Sequence, residues 1–216
     1  MKSESKKPRG RPQSYDLNEV LDAAVGVFWT NGYEGASMDD LTGAMGINRP
    51  SLYAKFGNKH GLFLAALDRY IETNSAAQSL PLMQESDLRA AIEGYYREII
   101  RTVTSEDGPK GCLIACVATE TSERDEAVRE KISTLLGQAE TLLDERLANQ
   151  GYGQKESGSN PSVTGAMIIA AGLGFAARAR LGASRNELEN VANGFVESFF
   201  AANPKGPETL PAGDGS

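Results

Sequence analysis

Seven side chains in the first third of the chain have the chemistry to hold a nucleic acid: Ser37, Arg49, Pro50, Ser51, Tyr53, Lys55 and Lys59. A guanidinium offers two parallel donors to a guanine edge, whereas ammonium groups, hydroxyls and helix N-termini seek phosphate. Catalysis is poorly provided for. His60 is the sole histidine, no nucleophile stands beside a base, and no phosphate-binding glycine loop occurs, so the chain does not read as an enzyme. Cys112 and Cys116 are the only cysteines. They are too few for a disulfide framework and, with one histidine, too few for a self-contained zinc site, so no metal and no cofactor is expected.

Cys112 lies in Lys110-Gly111-Cys112-Leu113-Ile114, where a helix start and Lys110 are expected to lower its thiol pKa and expose a reactive thiolate. Packing is nevertheless the first reading of the Gly-Cys pair, and sensing of electrophiles or oxidants through the thiolate is the alternative. Cys116, one turn on, is poorly placed to form a disulfide with it.

The elements that must position these groups are legible as helices. A capping pattern at Asp16 and Glu19 opens an amphipathic helix through Val20, Leu21, Ala24, Val27 and Phe28, ended by Gly32. Ser37 to Asp40 forms a second cap, and the turn Met45-Gly46-Ile47-Asn48 leads to a helix Arg49 to Phe56 with Pro50 in its first turn. Leu52 and Phe56 share a face with Ile47, leaving Arg49, Ser51 and Lys55 free. Asn58 caps a fourth helix reaching about Ala76. Beyond Pro81, helical patterns run over 87–103, 111–120, 124–150, 161–181 and 184–202, with a Gly/Ser/Asn-rich loop at 151–160. No segment shows sustained β alternation, so the fold class is all-α.

Charge is unevenly distributed. Net charge is −7, yet residues 1–60 carry eight Lys/Arg against seven Asp/Glu, and the first fifteen hold five basic residues and one acidic. A basic end on an acidic body fits a molecule that touches DNA at one end only. No apolar run reaches membrane-spanning length and no secretory signal is visible, so a cytoplasmic protein with no membrane partner is expected.

Phe28, Gly32, Tyr33, Ser37-Met38-Asp39-Asp40-Leu41, Met45-Gly46-Ile47, Ser51-Leu52-Tyr53 and Phe56-Gly57-Asn58-Lys59 together resemble the DNA-binding domain of the TetR family of bacterial transcriptional regulators. The resemblance implies an N-terminal three-helix helix-turn-helix domain over 15–75 and a C-terminal helical ligand-binding and dimerisation domain over 76–203, flanked by a disordered basic arm (1–14) and tail (204–216). By the same resemblance, Arg49, Pro50 and Ser51 face bases, while Ser37, Tyr53, Lys55 and Lys59 hold the backbone of a double-stranded operator. Arg9 and Arg11, in an Arg-Gly-Arg-Pro element similar to an AT-hook core, extend that contact into the minor groove.

The body is expected to form a homodimer through Gly165, Ala166, Ala170, Ala171, Gly174 and Ala177, packed with Phe195, Phe199 and Phe200. It would bind an apolar or aromatic small-molecule effector among Tyr70, Tyr95, Tyr96, Cys112, Cys116, Met167 and Phe175. A repressor released from a palindromic operator by that effector is the function implied. An activator with the same DNA-binding mode, or a helical ligand-binding protein or enzyme, is the alternative.

Overall fold

The computed structural model describes residues 15–152 and 162–204, and no strand occurs among them. Arg9, Arg11, the basic arm, most of the 151–160 loop and nearly all of the tail lie outside the described residues. Helices α1 (Leu17–Gly35), α2 (Met38–Met45), α3 (Arg49–Phe56) and α4 (Lys59–Tyr70) build an N-terminal head. The body consists of α5 (Ala76–Gln84), α6 (Leu88–Val103), α7 (Thr119–Ser122), α8 (Glu126–Asn149), α9 (Ser162–Arg180) and α10 (Arg185–Ala202).

Each helix of the head starts on a side chain that accepts from a first-turn amide: Asp16 from Asn18, Ser37 from Asp40, Asn48 from Ser51 and Asn58 from Gly61. Every cap satisfies an otherwise orphaned donor, a contribution of about 1 kcal/mol. The reciprocal box closes at Ser37–Asp40, where the Asp40 carboxylate accepts from both the Ser37 hydroxyl and its amide. Those two bonds, the side-chain one first, hold the Asp40 carboxyl below its usual pKa. Gly46 ends α2 at φ 63°, a left-handed turn that costs an L side chain strain and redirects the chain into α3. Phe28, Leu41, Leu52, Leu62 and Phe63 are fully buried beneath these helices, with the Phe28 and Phe63 rings edge-on at 5.0 Å.

The helix that begins at Lys59 does not stop where the sequence suggests. It passes through a π-helical turn, Ile71–Ser75, into α5, so one rod extends from Lys59 to Gln84. Pro81 sits inside α5, although a proline there removes an amide donor. Gly94 of α6 makes room for it, lying so close that a Cβ there would come 2.8 Å from the proline Cβ. At the end of the same helix the Arg146 guanidinium donates to the open Leu82 and Glu85 carbonyls.

In the body α6 is the central element, packing against α5, α9 and α10. Small residues bring α9 close: a Cβ on Gly165 would meet the Glu140 carbonyl at 2.6 Å, and one on Gly172 would meet Ile99 Cδ1 at 2.9 Å. Gly165 therefore serves the fold of the chain itself. The same holds for Phe199 and Phe200, which are buried, and largely for Phe195, whose ring packs on Tyr96 at 5.8 Å; these phenylalanines were expected at a subunit interface. The helical segment anticipated over 111–120 starts at Leu113 instead and is π-helical over Ile114–Ala118 before α7.

Head and body meet at a defined junction. Trp29 of α1 packs edge-on to Tyr70 at 5.2 Å. Arg180 of α9 donates to the carbonyls of Trp29 and Lys110, His60 Nε2 lies 2.6 Å from Asp125 Oδ2, and an ion pair joins Lys131 to Asp68.

Candidate nucleic-acid interface and internal cavity

Helix α3 has one buried side and one open side. Leu52 is fully buried and Phe56 half-buried, whereas Arg49, Pro50, Tyr53, Ala54 and Lys55 are exposed and Ser51 is half-buried. The amphipathic split follows from Ile47 and Leu52 seating the helix on the core, which turns the polar residues outward. Arg49 is not free to wander. Its Nη2 donates to Asp39 Oδ1 of α2 at 2.7 Å, holding the guanidinium at the front of the two helices.

The flanking residues are less available than Arg49. The Ser37 hydroxyl is engaged in the α2 cap, accepting from the Asp40 amide at 3.1 Å and donating to its carboxylate at 2.6 Å. Lys59, at the start of α4, lies with Nζ 4.8 Å above the Tyr33 ring and donates to the Glu34 carbonyl at 3.3 Å. Both stand at helix N-termini, where the partial positive charge of the free amides favours an anion. Lys55 and Tyr53, by contrast, project from α3 into solvent.

A second feature lies in the body and is partly open to solvent. Between α5, α6, α8 and α9 is a cavity of about 70 Å³, lined by Ile99, Leu135, Leu136, Ile169 and Leu173 on its apolar sides. Ser75, Gln78, Ser79, Tyr95 and Cys112 supply its polar atoms, and no charged side chain among the described residues lines it. Of the seven residues proposed from sequence to contact a ligand, the structure brings Tyr95 and Cys112 to this cavity. Tyr70 lies behind Cys112, donating its hydroxyl to Sγ at 3.3 Å. Tyr96 donates to the Ile168 carbonyl at 3.0 Å and packs on Phe175 at 5.1 Å, both in the core. Cys116 Sγ faces the Ala176 carbonyl and Gly111, and Met167 is half-exposed on the outer side of α9.

The Cys112 thiol departs from expectation. Burial pushes its pKa up, outweighing the Tyr70 hydroxyl and the Ala115 and Ile114 amides that favour the thiolate. Lys110 gives it no help, because its ammonium donates to the Thr104 and Ser105 carbonyls at the end of α6. Desolvation of a thiolate in an apolar wall exceeds the pull of a helix start. Sequence reasoning missed Ser75, Gln78 and Ser79, although their i, i+3, i+4 spacing marks one face of a helix.

Comparison with known proteins follows from this geometry. Residues 20–66 match the family model described as bacterial regulatory proteins, tetR family, and residues 89–194 match that described as transcriptional regulator LmrA/YxaF-like, C-terminal domain. The chain is 33% identical over 189 residues to the HTH-type transcriptional repressor ComR of Escherichia coli K12, covering 87% of this chain and 90% of that one. It is 31% identical over 113 residues to the repressor BdcR of the same organism, covering 52% and 57% of the two chains. Among solved structures, a cysteine mutant of the TetR family regulator CifR, complexed with a 26-base-pair operator, superposes with a TM-score of 0.76 at 31% identity, covering 87% of this chain and 99% of that one.

Proposed function

The chain belongs to the TetR family of bacterial transcriptional regulators, and from that premise we propose that it represses transcription as a homodimer, releasing a palindromic operator when a small molecule enters the body. The observation that carries the reading is the open side of α3, with Arg49 held forward by Asp39 while Leu52 anchors the helix in the core. Arg49, Pro50 and Ser51 would face base edges in the major groove. Ser37, Tyr53, Lys55 and Lys59 would contact the phosphates on either side.

Dimerisation is supported by the outer faces of α9 and α10. Met167, Ala170, Gly174 and Ala177 are exposed at heptad spacing on α9, with Leu181 in the turn that follows, as are Val191, Gly194, Ser198 and Ala201 on α10. Among the described residues a Cβ on Gly174 or Gly194 would meet nothing within 4 Å, so neither glycine serves the packing of these residues. A glycine inside a helix costs about 0.5–1 kcal/mol relative to alanine. Close approach of a second copy gives it a purpose.

The cavity supplies a route for release. Ser75, Gln78 and Ser79 belong to the same rod as Lys59, so a molecule seated against them would move the start of α4 and alter the spacing of the two reading heads. Differential binding of this kind couples sites by about 1–3 kcal/mol. The test is a gel shift with DNA from upstream of the protein's own gene. Salt-sensitive, palindrome-dependent binding is expected; binding that ignores sequence would sink the reading.

A further inference from the structure

We propose that the body cavity takes a small, uncharged, largely apolar molecule that presents one hydrogen-bond acceptor, a carbonyl-type oxygen, to the Gln78 side-chain amide. The proposal rests on the reading of this cavity as the effector site and specifies its ligand chemistry.

Charge is excluded by the lining. An ionised ligand would lose its hydration against Ile99, Leu135, Leu136, Ile169 and Leu173 with no counter-charge among the described residues to replace it. Size is limited by the volume of about 70 Å³, room for several water-sized groups. The polar requirement comes from Gln78. Its Nε2 is buried and has no hydrogen-bond partner among the described residues, although buried donors are almost always satisfied. An acceptor arriving from the cavity would complete that bond. Tyr95 adds a second donor: its hydroxyl lies 3.4 Å from where a Cβ on Gly172 would stand, and burial keeps it protonated. A purely apolar ligand would leave Gln78 Nε2 unpaired, and a cationic one would bring another donor to it.

The experiment uses the full chain and three matched probes followed by ligand-detected NMR: cyclohexanone, methylenecyclohexane and protonated cyclohexylamine. Cyclohexanone is expected to bind at least about tenfold more tightly than methylenecyclohexane, the preference that satisfying one buried donor produces, and the ammonium probe is expected not to compete. In Gln78→Leu the preference falls to about one, while the melting temperature rises because an unsatisfied donor has gone. Equal binding of the two neutral probes, no binding of either, a preference that survives in Gln78→Leu, or a lower melting temperature in that variant would each overturn the proposal. If Gln78→Leu does not fold, Gln78→Met carries the same comparison. Operator gel shifts on the same preparations separate the two readings. Operator binding without the probe preference defeats the ligand assignment alone. The probe preference without operator binding defeats the regulatory reading alone.

Discussion

Arg49 on α3 and Asp39 on α2 are joined by a 2.7 Å charge-assisted hydrogen bond between two exposed side chains. A pair this open to water adds little to stability, typically about 0.2–1 kcal/mol, so its effect is to orient. Arg49→Ala is expected to weaken the operator complex by about 1–3 kcal/mol per half-site and to relax preference at one base pair. Asp39→Ala is expected to raise affinity for every sequence and lower the ratio of operator to scrambled DNA, because it removes an anion facing phosphate. Titrations of both variants against both DNAs test this; an unchanged ratio in Asp39→Ala means the carboxylate orients nothing.

Lys55 is exposed on α3, and no described residue pairs with its charge. Lys55→Ala should reduce the slope of log affinity against log salt by about one per contact, or about two for a dimer on two half-sites. Lys59 should behave differently, since leaving Tyr33 and the Glu34 carbonyl offsets part of what it gains. A salt series on both variants reads the difference directly. Equal losses in slope and affinity would mean that the Tyr33 contact carries no weight.

The outer face of α9 can be tested without DNA. Gly174→Glu leaves the packing of the described residues untouched, since a Cβ there meets none of them within 4 Å, but places a charge where a second copy would press. Sedimentation is expected to show a folded monomer, and operator affinity should fall more than tenfold as half-site pairing is lost. A dimer of unchanged stability would move the interface elsewhere.

Alkaline pH should destabilise the fold. Burial raises the pKa of Cys112 above its ordinary value of 9.0, and those of Tyr70, Tyr95 and Tyr96 above 10.0. A raised acid pKa means the folded state holds its proton longer than the unfolded one. Its contribution is therefore complete below the ordinary value and is lost as pH rises through the folded value. Stability measured by urea unfolding should be flat near neutrality, fall from about pH 9, and steepen above 10. Cys112→Ala should remove the first part of the decline and leave the second. Slow alkylation of Cys112 at neutral pH, relative to the urea-unfolded chain, is the companion result.

The head was legible from sequence because its signals are local. Asp16, Ser37, Asn48 and Asn58 each bond amides two or three residues away, and Gly46 and Gly57 end helices through their own φ angles. What escaped depends on distant partners. Pro81 finds room because its neighbour on α6 is Gly94, and the Cys112 thiol pKa is raised because burial between distant helices disfavours the thiolate. Met167 and Phe175 have the composition of cavity residues, yet helix rotation puts one outside and one in the core. Gln78 was overlooked for the opposite reason. Nothing in its neighbours announces that an amide will be buried unpaired.

Trp29 is the only tryptophan in the chain, and it stands at the junction, edge-on to Tyr70 and with its carbonyl held by Arg180. Its indole N–H is buried and has no hydrogen-bond partner among the described residues, so its emission should be that of a dry environment and should respond sharply when water or a dipole approaches. The molecule thus carries an optical gauge at the junction of body and head. The shift proposed to accompany operator release would be timed on native protein, with no label attached.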